Sequence, residues 1–171
     1  LTGSGKSTTA KALSERLRAT YLDPIDDIFG VPRRALDSDA HQLEARHALF
    51  FAAILHSSSI IKRIRATGKS VVVDSWIYRT NATHIALGSQ LEMSIPLDFE
   101  IETCSFFLDC PESIRMSRKA NRGQADGFWK AACESRSREI ITNYKVLSPA
   151  TIFLDASGST TEIVDTIMGH L

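Results

Sequence analysis

The run Gly3-Ser4-Gly5-Lys6-Ser7 constrains this chain more than any other feature. Glycines close to a lysine let backbone N–H groups turn inward and approach an anion, because no Cβ obstructs the turn. A helix that starts directly afterwards adds its N-terminus to the same anion. The residues from Thr8 to Arg18 supply that helix, with Ala12, Leu13 and Leu17 on one stripe. The pattern Gly-x4-Gly-Lys-Ser/Thr is a phosphate-binding loop. Leu1, Thr2, Gly3 and Ser4 are its intervening residues, so its first Gly would precede Leu1, as would the strand leading into it. The expectation is therefore a domain truncated at its N-terminus. Within the loop, Gly3, Ser4, Gly5, Lys6, Ser7 and Thr8 are the expected nucleotide contacts. Lys6 reaches the β- and γ-phosphates, and the Ser7 hydroxyl sits on Mg²⁺.

The rest of the chain alternates strand and helix. Thr20–Leu22, Val71–Val73, Thr103–Leu108 and Ile152–Leu154 are short apolar strands, and Val71–Val73 reads as buried on both faces. Asp39 to Ala66 reads as a long helical stretch stopped at Gly68, and 78–87 as a helix closed by Gly88. Pro111 opens a helix to about Arg122, 128–147 is helical, and Thr160–Met168 is the last helix. Asp26 to Asp37 carries Gly30 and Pro32 and reads as a loop with at most one helical turn. This alternation predicts an α/β fold: a three-layer P-loop NTPase sandwich around a mostly parallel five-stranded sheet, its first strand ahead of Leu1. The 171 residues form one domain.

Composition narrows the partners. Twenty basic and twenty acidic side chains give a formal net charge of zero, which argues against nucleic acid or an anionic membrane as the main partner. No apolar run approaches the ~20 residues of a membrane span. Cys104, Cys110 and Cys133 are odd in number and lack metal-ligand spacing, so free thiols in a reducing, cytoplasmic setting are expected.

Asp74 ends the strand Val71–Val73, where open α/β sheets bind ligands, and is the second expected Mg²⁺ ligand. Arg118 and Arg122 lie four apart on one helix face, where two guanidinium groups can clamp a transferring phosphoryl group. Asp23 follows the strand Thr20–Leu22 and is either a turn residue before Pro24 or a carboxylate for the acceptor. Phe50 is either core or a stacking surface, Trp76 and Tyr78 are candidates for a pocket wall, and His84 reads as helix surface.

Together, Gly-Ser-Gly-Lys-Ser-Thr-Thr-Ala-Lys-Ala-Leu, the strand ending at Asp74, and Leu108-Asp109-Cys110-Pro111-Glu112 followed by Arg118 and Arg122 resemble the nucleoside monophosphate kinases, the thymidylate kinase branch above all. The resemblance implies Mg·ATP as donor, a lid over the phosphates at about 118–128, and Lys6, Arg118 and Arg122 as catalytic residues. Two features depart from it. The family follows its strand-end Asp with Arg, where this chain has Ser75. The family also places an Arg four residues beyond a Phe of the long helix, where this chain has Ile54 after Phe50 and Leu55 after Phe51. Arg46 and Arg79 are the candidate replacements, beside Asp23, Phe50 and Asp74, for holding the acceptor.

A nucleoside monophosphate is the leading acceptor. A hydroxyl acceptor of the shikimate, gluconate or antibiotic type is the alternative, with Asp23 as its base. A GTP-operated switch is weaker still: Asp27-Ile28-Phe29-Gly30 fits Asp-x-x-Gly but follows the wrong strand, and there is no Asn-Lys-x-Asp segment. A small-molecule acceptor is the expected partner, and a homodimer is compatible with the sequence.

Overall fold

The computed structural model describes residues 1–25, 27–39, 41–121 and 127–171. Helices are α1 (Lys6–Leu17), α2 (Asp27–Asp37), α3 (Leu43–Arg65), α4 (Ile77–Ala86), α5 (Glu112–Ala120), α6 (Phe128–Ser135), α7 (Ser137–Leu147) and α8 (Thr160–Met168). Strands are β1 (Thr20–Leu22), β2 (Val71–Val73), β3 (Phe106–Asp109) and β4 (Ile152–Asp155).

All described strand pairs are parallel. β1 pairs with β2 from Thr20↔Val71 to Leu22↔Val73, and β3 pairs with β4 from Phe106↔Ile152 to Asp109↔Asp155. Four strands in two pairs are described where five were expected; the fifth was expected ahead of Leu1. β2 is half-buried instead of fully enclosed, because it pairs on one side only among the described residues.

Side chains alternate across β3 and β4, as the two-residue period of a strand requires. Leu108 and Leu154 face Leu13 of α1 and Ile163, Val164 and Ile167 of α8. Phe107 and Phe153 stack on each other, with ring centres 4.8 Å apart, and meet Tyr144 of α7 on the other face. A second apolar cluster joins α3 to α4 through Phe51, Ile54 and Ile77, and Trp76, Tyr78 and Phe99 pack on it. The result is helix, sheet and helix in three layers. Among the described residues no helix is long and apolar enough to cross a membrane.

Three sequence expectations need correction. The segment read as a loop at 26–37 is helical from Asp27, with Pro32 inside it. Tertiary contacts override its poor propensity: Asp37 pairs with both Arg33 and Arg46, and the Leu36 carbonyl accepts from Trp129 Nε1 at 3.4 Å. The stretch 128–147 is two helices, interrupted at Arg136 (φ −105°, ψ 18°), whose guanidinium folds forward onto Glu139. Pro111 is the residue before α5, extended at φ −51° and ψ 141°, and not its first helical residue.

The loop ahead of α1 is docked against α5. Gly3 has φ +84°, and a Cβ there would lie 2.6 Å from the Arg115 carbonyl oxygen. Gly5 has φ +89° but would meet nothing closer than 3.8 Å. Gly3→Ala should therefore combine backbone strain with a backbone clash and cost about 2 kcal/mol or more. Gly5→Ala should cost about 1 kcal/mol, from the left-handed conformation alone. Urea unfolding of the two variants checks the order; equal losses would show that the Arg115 contact is not limiting.

Candidate active site

The loop at residues 1–5 is held by its own polar groups. Ser4, 1% exposed, donates its hydroxyl to the Leu1 carbonyl at 3.0 Å, and Lys6 Nζ donates to the same oxygen at 2.6 Å. Ser4 thus serves the loop's shape with its side chain and leaves the cavity to backbone groups. Thr2, Gly3, Gly5, Lys6, Ser7 and Thr8 enclose a cavity of about 190 Å³ at the start of α1. Backbone N–H groups at a helix N-terminus, a lysine and two exposed hydroxyls form a site built for phosphate oxygens.

A larger cavity, about 300 Å³, adjoins it between the ends of β1 and β2 and helices α3, α4, α6 and α7. Lys6, Ser7, Asp23, Arg46, Asp74 and Arg79 line it, and so does Phe50. The sequence-predicted donor and acceptor residues thus converge at the C-terminal ends of the parallel strands, as ligand sites do in open sheets. Arg118 is elsewhere. Its Nη1 donates to the Ala156 carbonyl at 2.9 Å, and its Nη2 to those of Ser157 and Gly158 at 3.3 and 2.9 Å. It flanks Gly5 and fastens the loop after β4. Arg122, and residues 122–126 of the expected lid at 118–128, lie outside the described residues. Trp76 and Tyr78 belong to the α3–α4 cluster and not to the cavity.

Charge in the cavity is predominantly positive and poorly hydrated. Burial, and then the nearby Arg79, lower the Lys6 ammonium to about 8, while Asp74 opposes the shift. Burial likewise pulls Arg79 below its ordinary value, opposed by Cys133 and Asp74 and reinforced by Arg46 and Arg33. The Arg79 side chain makes no hydrogen bond or ion pair among the described residues. Tyr21 donates to Asp74 Oδ2 at 3.5 Å, and its phenol is pushed up to about 12 by burial, Asp74 and Asp23. Ser75 donates to Asp74 Oδ1 at 3.3 Å and holds φ at +75°, a conformation a non-glycine residue rarely adopts. That bend ends β2 and turns the chain into α4, placing Arg79 on the cavity side. Asp23 Oδ1 accepts from the Ile25 N–H at 3.0 Å, closing a turn at the cavity rim.

Arg46 is the most constrained group in the site. It is 7% exposed, and its guanidinium carbon lies over the rings of Phe50 and Trp129, 4.5 and 4.9 Å from their centres. Its Nε donates to Asp37 Oδ1 at 2.8 Å, and its Nη1 lies 2.8 Å from His84 Nε2. Phe50 therefore offers a ring face to Arg46 and also lines the cavity. Arg46 and Phe50 sit one turn apart on α3, a spacing visible in the sequence. Trp129, Asp37 and His84 are brought to them by α6, α2 and α4, and no local pattern announces those partners. His84, expected on a helix surface, is fully buried.

Arg115 joins the two cavities' walls. It donates to the carbonyls of Cys110 at 3.2 Å and Thr2 at 3.5 Å. Its Nη1 lies 2.5 Å from Glu134 Oε1 of α6, an ion pair whose angle is not that of a hydrogen bond. The phosphate loop and the helix carrying Trp129 and Cys133 are thereby tied through one buried guanidinium.

Comparison with known proteins agrees with this geometry. The structure of thymidylate kinase from Candida albicans superposes with a TM-score of 0.76 at 16% identity, covering 99% of this chain and 87% of that one. A deoxyadenosine kinase from M. mycoides with bound dCTP superposes with a TM-score of 0.64 at 13% identity, covering 99% and 94%. These likenesses establish the fold. No curated protein matches the chain. The family model for thymidylate kinase matches residues 1–167, and the chain belongs to the thymidylate kinase family.

Proposed function

We propose that this chain moves the γ-phosphate of Mg·ATP onto the phosphate of a nucleoside monophosphate, with the donor on the loop ahead of α1 and the acceptor in the larger cavity. Membership of the thymidylate kinase family makes it an ATP-dependent kinase. The observation that carries the acceptor assignment is Arg79, a guanidinium in the cavity wall with no hydrogen-bonding partner among the described residues, close to Lys6 and Asp74. An unpaired, partly dehydrated guanidinium is best satisfied by an anion that accepts two hydrogen bonds, as a phosphate does. It stands in for the arginine that this sequence replaces with Ser75.

Catalysis of this kind is mostly positioning and charge stabilisation. Lys6 binds the donor's terminal phosphates, and the N–H groups of the loop orient them. Arg79 and Arg46 hold the acceptor so that its phosphate oxygen faces the γ-phosphorus. A phosphate is already an anionic nucleophile and needs no base. Ser7 and Asp74 fit Mg²⁺: both offer hard oxygen donors in the same cavity wall, and Mg²⁺ takes few protein ligands when phosphates and water supply the rest. Held by these two residues, Mg²⁺ would supply charge neutralisation at the donor's terminal phosphates. Arg118, anchored on the carbonyls of 156–158 beside Gly5, acts as a support for the donor side and not as a clamp on the transferring group.

A hydroxyl acceptor is the second reading, favoured by Asp23 at the cavity rim. The engagement of its Oδ1 by the Ile25 N–H weighs against a role as base.

ADP release should rise when thymidine monophosphate or another nucleoside monophosphate is added, and not with nucleosides, shikimate-like acids or aminoglycosides. Turnover with a hydroxyl compound alone, abolished by Asp23→Asn, would reverse the order of the readings. Arg79→Met should raise KM for the monophosphate about tenfold or more, the loss of one charge-assisted contact, with KM for ATP within about twofold. An unchanged acceptor KM would remove Arg79 from the site.

Lys6 gives a pH signature. Its value of about 8 in the free protein must rise when phosphate oxygens replace lost hydration. Below pH 8 the ammonium is already charged and binding takes up no proton there. Above pH 8 the free protein is deprotonated while the complex is not, so binding takes up a proton and affinity falls, by at most about tenfold per pH unit. Calorimetry of a non-hydrolysable ATP analogue in buffers of different ionisation enthalpy measures this uptake. Pure proton release at pH 9 would contradict it.

A further inference from the structure

We propose that His84 is a positioning residue that sets the acceptor site through Arg46. The inference rests on reading the larger cavity as the acceptor site. His84 Nδ1 lies 2.8 Å from the Thr80 carbonyl oxygen, which can only accept, so Nδ1 carries the proton. The other nitrogen, Nε2, then presents a lone pair, and it lies 2.8 Å from Arg46 Nη1, which can only donate. The two contacts fix one tautomer with no ambiguity. Burial keeps the ring uncharged, far below its ordinary titration range at about 2.

The choice of a neutral acceptor matters for charge. A carboxylate in place of His84 would give Arg46 a second counter-ion beside Asp37 and cancel its attraction for an anion. An imidazolium would be repelled. Neutral imidazole leaves Arg46 positive while fixing its direction. The guanidinium is then bound at Nε by Asp37 and at Nη1 by His84, and packed over the rings of Phe50 and Trp129. Nη2 is its one nitrogen without a partner among the described residues, and Arg46 lines the cavity. That nitrogen is the group offered to the acceptor.

His84 is itself held. The His47 ring lies parallel to it at 4.4 Å, with 2° between planes. His47 Nδ1 is 2.8 Å from Ser89 Oγ, and Ser89 donates to Glu44 Oε2 at 2.5 Å. His47 Nε2 lies 3.3 Å from Asn81 Oδ1, so α4 engages this ring at a second point. The chain Glu44–Ser89–His47–His84–Arg46 runs from the surface of α3 to the cavity and ties α3 to α4.

Steady-state kinetics with thymidine monophosphate as acceptor test this. His84→Leu should raise the acceptor KM about tenfold and leave KM for ATP within about twofold. In His84→Gln the side-chain carbonyl can occupy the place of Nε2, and KM should return to within about threefold of the parent. His84→Asn is polar but too short, and should behave as His84→Leu does. A side chain that only fills space would give no difference between Gln and Asn, and that result overturns the proposal, as does a folded His84→Leu protein with the parent's acceptor KM. Should His84→Leu fail to fold, the Gln–Asn comparison decides alone. Arg46→Met separates the two readings. If it leaves the acceptor KM unchanged, the cavity is not the acceptor site. If it raises KM while the His84 variants do not, only the role of His84 fails.

Discussion

Three cationic side chains, Lys6, Arg79 and Arg46, face one partly dehydrated cavity, and much of the rest of the structure serves to keep them there. Like charges in poor solvent repel, and leaving water is costly for each. Asp74 and Asp37 offset part of that cost, and each is shared: Asp74 also accepts from Tyr21 and Ser75, and Asp37 also pairs with Arg33. The site is consequently short of negative charge in its folded state, which is the electrostatic condition for binding a polyanion.

The scaffold beneath this cavity uses its other arginines differently. Arg115 and Arg118 direct their donors to backbone carbonyls and to Glu134, not to open space. Guanidinium groups suit this, because a planar fork can satisfy several carbonyls that no helix or strand pairs. The arginines of α5 thus differ in role from those of α3 and α4, although their sequence contexts look equally basic. What distinguishes them is whether their partners are already supplied by the protein.

The donor side was legible because its physics is local. Glycines, a lysine, a hydroxyl and a helix start lie within a few residues of each other, and their spacing carries the geometry. Thr20–Leu22 and Thr160–Met168 were equally plain as a short apolar strand and a last helix. The larger cavity was only half legible. Asp74, Arg79, Arg46 and Phe50 could be nominated singly, and all four line one cavity. Trp129, Asp37 and His84 come from three other helices. The helix at Asp27–Asp37 was hidden by its Gly and Pro, because contacts with Arg46 and Trp129 outweigh local propensity. His84 was placed on a surface because α4 has buried residues on most of its circumference, so period alone could not tell its inner side.

The stack of Phe50, Arg46 and Trp129 has a thermodynamic consequence. A free arginine side chain carries roughly 2 kcal/mol of rotamer entropy, and a mobile one gives up much of it when a ligand arrives. Here two aromatic rings and the partners of two nitrogens restrain the guanidinium before any ligand is present. The ordering loss has been transferred from the binding step to folding, where the burial of two aromatic rings helps to meet it. A ligand that fits the fixed donor avoids that penalty, and one that does not fit finds a residue unable to rearrange around it.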